Sequence, residues 1–162
     1  MSAAIKSFFI GGKGSADAVG DFGLLILRVG IGCYLAFGHG FGKLVHDGHF
    51  GPGEQMVTGV ASMGFPAPVL FAWLSSITES VVAVLLAIGL FTRPAALMLT
   101  INMAVAAFIA HKGTPWFMTG QGPSREPAML YLLPFAMFIF TGAGQFSFDS
   151  MIRTMGTKHQ GP

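Results

Sequence analysis

Apolar residues gather into four runs, about Phe22 to Gly42, Pro66 to Leu90, Pro94 to His111 and Pro127 to Gly142, separated by polar, glycine-bearing connections. A helix rises 1.5 Å per residue, so runs of about 18 residues or more can cross a hydrocarbon core of roughly 30 Å. The pattern predicts an all-α integral membrane protein, a four-transmembrane-helix antiparallel bundle. Pro66, Pro68, Pro94 and Pro127 stand at the openings of the last three runs, where the missing N–H costs nothing because first-turn donors have no helical partner. The fourth run, only about 16 residues long with Pro134 inside, is expected to kink, thin the bilayer or continue toward Phe146. The connection Phe91-Thr92-Arg93 is so short that runs two and three must form an antiparallel hairpin. The longer connections, Lys43 to Phe65 and Lys112 to Glu126, then fall together on the opposite side. The expected division is an N-terminal tail, 1–21, a four-helix domain, 22–149, and a C-terminal tail, 150–162.

Composition supports the bilayer as solvent: 52% of the 162 residues are apolar and 10% charged, where a soluble domain carries roughly a quarter charged residues. The formal charge of +2 is scattered rather than massed, which removes nucleic acid from the candidate partners. Cys33 is the one cysteine, so no internal disulfide or Cys-x-x-Cys cycle is available to the chain alone. Near the start, Lys6 and Lys13 flank Ser7-Phe8-Phe9-Ile10, a patch too short for a signal-peptide core; no cleavage is expected, and the patch reads either as a brief interfacial contact or as a tail. Lys6, Lys13, Arg93, Arg153 and Lys158 lie on the terminal side, against Lys43, Lys112 and Arg125 on the side of the long loops. By the positive-inside rule both termini are cytoplasmic.

Within run one, Gly32, Ala36 and Gly40 recur every four residues, with Gly38 and Gly42 beside them, a small-residue stripe that lets helix backbones approach closely in lipid. Arg28 and Glu79 are the two charges well inside the runs, where an unpaired charge costs at least a few kcal/mol. Counted from the terminal side, Arg28 lies roughly 9 Å deep, Glu79 roughly 16 Å and Asn102 roughly 12 Å. These depths predict a buried polar core of Arg28, Glu79 and Asn102, with Arg28 paired to Glu79, either as a structural lock or as a carboxylate coupled to a bound ligand. Ser75, Ser76 and Ser80 could line such a site or simply bond to their own helix.

His39, His46, His49 and His111 lie toward the loop side. At 100° per residue His39 is about 20° and Lys43 about 60° from the Arg28 face of run one. His111 lies about half a turn from Asn102, so an ideal helix cannot aim both at one site. No His-x-x-x-His spacing occurs among these histidines, and no metal site is expected. Trp116, Phe117, Arg125, Glu126 and Tyr131 mark a rim that reads first as an aromatic belt. His39, Lys43, His111, Trp116 and Tyr131 together make a candidate pocket for an amphipathic ligand such as a quinone headgroup.

From about Leu24 to Asp149 the chain resembles the DoxX family of small four-helix bacterial membrane proteins. The resemblance is carried by Leu27-Arg28-Val29-Gly30, Gly38-His39-Gly40 and Lys43-Leu44 in the first run, and by Glu79, Leu85 to Leu90 and Phe91-Thr92-Arg93 in the second. It continues in His111-Lys112-Gly113, Glu126 with Leu130-Tyr131-Leu132-Leu133, and the closing Gly142-Ala143-Gly144-Gln145-Phe146-Ser147-Phe148-Asp149. It implies an inner-membrane protein with Arg28, Glu79, His39 and His111 as its polar core. It further implies an accessory or small subunit of a membrane redox complex, near quinone, associated with other membrane subunits or with its own copies. A stand-alone quinone-linked oxidoreductase and a small-molecule carrier are the alternatives. The sequence offers no dinucleotide fingerprint, haem motif or cysteine cluster, and it leaves open whether the chain is an enzyme.

Overall fold

The computed structural model describes residues 18–46 and 48–158; the Phe8-Phe9-Ile10 patch lies outside them. Among the described residues the regular elements are helices and one antiparallel ribbon of two-residue strands, joined by turns and loops. In order it runs α1 (Ala18–Leu44), β1 (Val45–His46), β2 (His49–Phe50), α2 (Glu54–Ser62), α3 (Pro68–Ile88), α4 (Thr92–Ala110), α5 (Glu126–Thr141) and α6 (Phe148–Lys158). By length and composition α1, α3 and α4, of 27, 21 and 19 residues, can each cross a membrane, and α5 is a shorter apolar helix. Their outward side chains include Phe37, Ile101, Leu130, Leu133 and Phe140, all exposed, as helices facing lipid require.

The helices follow the four apolar runs, with shifts at the ends. α1 starts at Ala18, inside the expected tail 1–21, and the expected tail 150–162 contains most of helix α6. Ser147 supplies the start signal for α6, its Oγ accepting a hydrogen bond from Ser150 N at 3.2 Å, the usual service of a serine N-cap. The first long connection also carries order: Gly51 N donates to Leu44 O at 2.8 Å, and Phe50 packs on Trp73 with ring centroids 5.5 Å apart.

α1 packs against the second half of α3, and α4 against α5. The shared core includes Leu35, Ala36, Leu86, Leu99, Phe135 and Phe138. The stripe Gly32, Ala36 and Gly40 is buried. A Cβ on Gly32 would lie 2.8 Å from Ala83 O, and one on Gly40 would run into the backbone of Glu79, whereas Gly38 and Gly42 face open space. One of the two small-residue rows therefore makes the helix contact.

At the hairpin end α3 stops in a Schellman turn: Gly89 N donates to Leu86 O at 3.0 Å and Leu90 N to Leu85 O at 2.9 Å, with Gly89 left-handed at φ 73°. Phe91 follows, also left-handed at φ 50°. The Asp149 N–H donates to Gly89 O at 2.9 Å, and the Asp149 carboxylate accepts from Phe91 N at 2.8 Å and Thr92 N at 2.9 Å. It thereby caps α4 from a remote part of the chain, where an anion is favoured. Asp149→Ala is expected to cost about 1–2 kcal/mol, measurable as a lower midpoint of thermal unfolding in detergent.

The expected Arg28–Glu79 pair is not formed. Arg28, 1% exposed, spends its guanidinium on carbonyls: Nε donates to Ala87 O at 3.1 Å, Nη1 to Ala143 O at 2.5 Å and Nη2 to Phe146 O at 2.8 Å. The reason is stagger. The first turns of α1 run past the end of α3 beside the chain leaving α5, where Phe22 meets Phe146 edge-on at 6.4 Å. Arg28 is thereby level with Ala87, about 12 Å along α3 from Glu79. Depths counted from the terminal side assume that the helix ends on that side are aligned.

Candidate functional site

Glu79, 4% exposed, instead receives Lys43. Lys43 Nζ lies 2.6 Å from Glu79 Oε2, Asn102 Nδ2 donates to Oε1 at 3.0 Å, and Ser75 Oγ donates to Oε1 at 3.3 Å. A carboxylate in an apolar bundle is tolerable on these terms, since a cation neutralises it and its second oxygen is hydrogen-bonded. Ser76 and Ser80 do not take part; their hydroxyls donate to Ala72 O at 2.9 Å and Ser76 O at 2.6 Å, the bonding to their own helix that serines adopt in membrane spans.

Three helices bring these groups together, and each departs from α geometry at that level. π-helical turns occupy Ala36–Gly40 of α1, Thr78–Val82 of α3 and Ala106–Ala110 of α4. A π turn adds a residue to one turn and so rotates everything beyond it; such bulges are frequent at functional sites. In α1 the turn precedes Lys43 and contains His39. In α4 it lies between Asn102 and His111, so both residues border one cavity, an arrangement that an ideal helix forbids. The π turns of α1 and α3 pack on each other, with Gly40 against the backbone of Glu79 and Ser80, a contact between distant parts of the chain that no local residue pattern announces.

Two cavities meet at the ion pair. The larger, about 490 Å³, lies among α2, α3 and α4, with walls that include Met56, Val60, Phe71, Leu74, Met98 and Ile101. Its polar end is Lys43, Ser75, Glu79, Asn102 and His111. Leu74, Met98 and Ile101 are exposed, which opens this cavity toward the lipid side. α2 forms its flank: Val60 is buried and Met56 Sδ lies 3.5 Å from Ser76 Oγ. The sequence signal for α2 is helical spacing, Met56, Val57, Val60 and Met63, after the acidic first-turn residue Glu54.

The smaller cavity, about 270 Å³, lies on the other side of the pair against the second long connection and α5. It is bordered by His39, Lys43, Glu79, His111, Ser124 and Tyr131, among others. Of the candidate pocket residues, His39, Lys43, His111 and Tyr131 thus come together here, with His39 and Tyr131 edge to face at 6.1 Å. Trp116 borders neither cavity; Arg125 stacks on its ring at 4.5 Å and Phe108 lies 6.1 Å away. His49 is exposed on the ribbon. Nothing in the sequence points to Ser124 or to the lipid-side cavity, whose flank α2 lies within the glycine-bearing connection Lys43 to Phe65.

Residues 23–112, more than half of the chain, match the DoxX family model. A Haemophilus influenzae protein described as an uncharacterized protein is 38% identical over 99 residues, covering 59% of this chain and 69% of that protein. The inner membrane protein YphA of Escherichia coli is 32% identical over 143 residues, covering 80% of this chain and 94% of YphA. No solved structure matches the chain.

Proposed function

The chain belongs to the DoxX family, and from that premise we propose that it is a four-span inner-membrane protein that holds an amphipathic, quinone-type ligand as a small subunit of a membrane redox complex. The inner membrane is the location in the name of the relative YphA. In this reading α5 is the fourth span, its 16 residues covering about 24 Å and thinning the bilayer slightly. Both termini face the cytoplasm, and the long connections face the periplasm.

The observation that carries the ligand reading is the larger cavity. Its volume lies within the range of small-molecule sites, and its apolar walls end on a few convergent polar groups. A quinone headgroup fits this donor set: Lys43 and Asn102 would donate to a carbonyl oxygen, and the Glu79 carboxylate would accept from a hydroxyl. Met56, Phe71, Met98 and Ile101 flank the rest of the molecule and exclude water. A bound quinone supplies two-electron, two-proton chemistry, whereas the residues of this chain bind and orient it. The chain carries no cysteine cluster or nucleotide fingerprint of its own, which supports a partner as the electron source.

Glu79→Gln keeps the shape and loses the charge that anchors Lys43. Its expected effect is at least about a tenfold loss of affinity for a short-chain quinone analogue, worth roughly 1.4 kcal/mol, in titrations of the purified protein in nanodiscs. Unchanged affinity would remove Glu79 from the site. The subunit reading is tested separately, by mild-detergent extraction from native membranes and mass spectrometry of the native-gel band. Co-migration with a redox assembly supports it, and migration as an isolated homo-oligomer overturns it.

A further inference from the structure

We infer that the smaller cavity is an aqueous vestibule that brings water and protons from the loop side to the Glu79 carboxylate, and that the Lys43–Glu79 pair is the seal between this vestibule and the membrane-facing cavity. The two cavities share Lys43, Glu79, Ala106 and His111 in their walls, so these side chains are what separates them. Of the four, Lys43 and Glu79 are joined at 2.6 Å. Lys43 comes from the loop end of α1 and its side chain is 38% exposed, against 5% for Glu79. The pair thus presents a half-open ammonium on one side and a shielded carboxylate on the other.

The walls of the smaller cavity need a polar occupant. Ser124 is 6% exposed, and its Oγ is buried without a hydrogen-bond partner, as is the phenolic oxygen of Tyr131. Both residues border this cavity. A buried hydroxyl without a partner is costly and is ordinarily satisfied by ordered water. A cavity of about 270 Å³ has room for several waters at roughly 30 Å³ each. The titratable groups that share the wall with Glu79 are Lys43 and His39 from α1, His111 at the end of α4 and Tyr131 from α5. Met118, Gly122 and Pro123 of the second long connection complete the wall and are exposed, which gives the cavity its outlet. The larger cavity has methionine, phenylalanine and aliphatic walls beyond its polar end and offers water few partners there.

This role for Glu79 extends its reading as the ligand's polar contact and rests on that reading for its purpose. The experiment is thiol labelling by a charged methanethiosulfonate in nanodiscs, where both faces are open to the reagent, on a Cys33→Ser background. Ser124→Cys, nearly isosteric, is expected to react at least about tenfold faster than Leu133→Cys on the lipid face, because a charged reagent stays in water. If Ser124→Cys does not fold, Ala128→Cys, on the same wall, takes its place. Labelling no faster than at Leu133 overturns the vestibule. Val105→Cys, which borders only the larger of the two cavities, is expected to be protected while the pair is intact and to be labelled once Lys43→Ala is added. Labelling with the pair intact, or continued protection without Lys43, overturns the seal. A dry vestibule would leave quinone-analogue binding untouched, and failed binding would leave this labelling pattern untouched, so the two readings fail separately.

Discussion

Arg28→Met is expected to lower the stability of the bundle by about 3–5 kcal/mol, seen as a fall in the thermal midpoint in detergent of roughly 10 °C. The residue is a clamp at the hairpin end. Its three hydrogen bonds tie α1 to the last turn of α3 through Ala87 O and to the chain leaving α5 through Ala143 O and Phe146 O. These carbonyls have left their helices' bonding ladders or lie beyond them, and in an apolar surrounding each is costly to leave unbonded. Space for the guanidinium is reserved by Gly89, where a Cβ would lie 2.5 Å from Arg28 Nη1. Arg28→Lys is expected to recover only part of the loss, because one ammonium cannot reproduce a planar fork of donors. A double-mutant cycle between Arg28 and Glu79 is expected to show coupling below about 0.5 kcal/mol, as for sites without shared partners. Strong coupling would restore the direct pair.

The second large effect is expected at Gly40. A Cβ there would enter the backbone of Glu79 and Ser80, atoms that cannot move aside as a flexible side chain can. Gly40→Ala should therefore cost about 3 kcal/mol, the upper part of the range for overpacking. It should also disturb the site, because the backbone it displaces is that of Glu79 itself. Gly38→Ala and Gly42→Ala meet open space and are expected to stay within about 0.5 kcal/mol of the parent. Thermal midpoints of the three variants, side by side, separate a helix contact from general glycine tolerance.

These two positions also show what was legible in the sequence. The small-residue spacing of Gly32, Ala36 and Gly40 located the buried seam because backbone approach in lipid depends on residue size, a local property. The prolines located helix openings for a similarly local reason. Arg28 stands out in the sequence as a charge inside an apolar run, but its partners depend on the stagger of α1 against α3, a property of the packed bundle. Asp149 reaches the hairpin turn from the far end of the chain, so its spacing to other residues says nothing of its task. Ideal helical angles put Lys43 about 60° from the Arg28 face and His111 half a turn from Asn102; the π turns that precede both residues change those angles, and both border the site. α2 had a readable signal in Met56, Val57, Val60 and Met63, obscured by the surrounding glycines.

The closing Gly-x-Gly-x-x-Ser-x-Asp stretch and the Thr-Arg turn, which carried much of the family resemblance, meet at the hairpin end as a structural lock. The Lys43–Glu79 pair lies about 12 Å along α3 from that lock, beside the cavities. Stability and ligand contact are thus separable by mutation: Arg28 and Asp149 variants should unfold more readily, and Glu79 variants should bind less well.

The most direct test of the ligand site is photocrosslinking with a photoreactive quinone analogue on the wild-type protein in nanodiscs, with adducts mapped by mass spectrometry. The account predicts adducts on residues 56–71 and 98–105, suppressed by excess unlabelled quinone and diminished in Glu79→Gln. Adducts confined to lipid-facing positions such as Leu130 and Leu133, indifferent to competition, would contradict it.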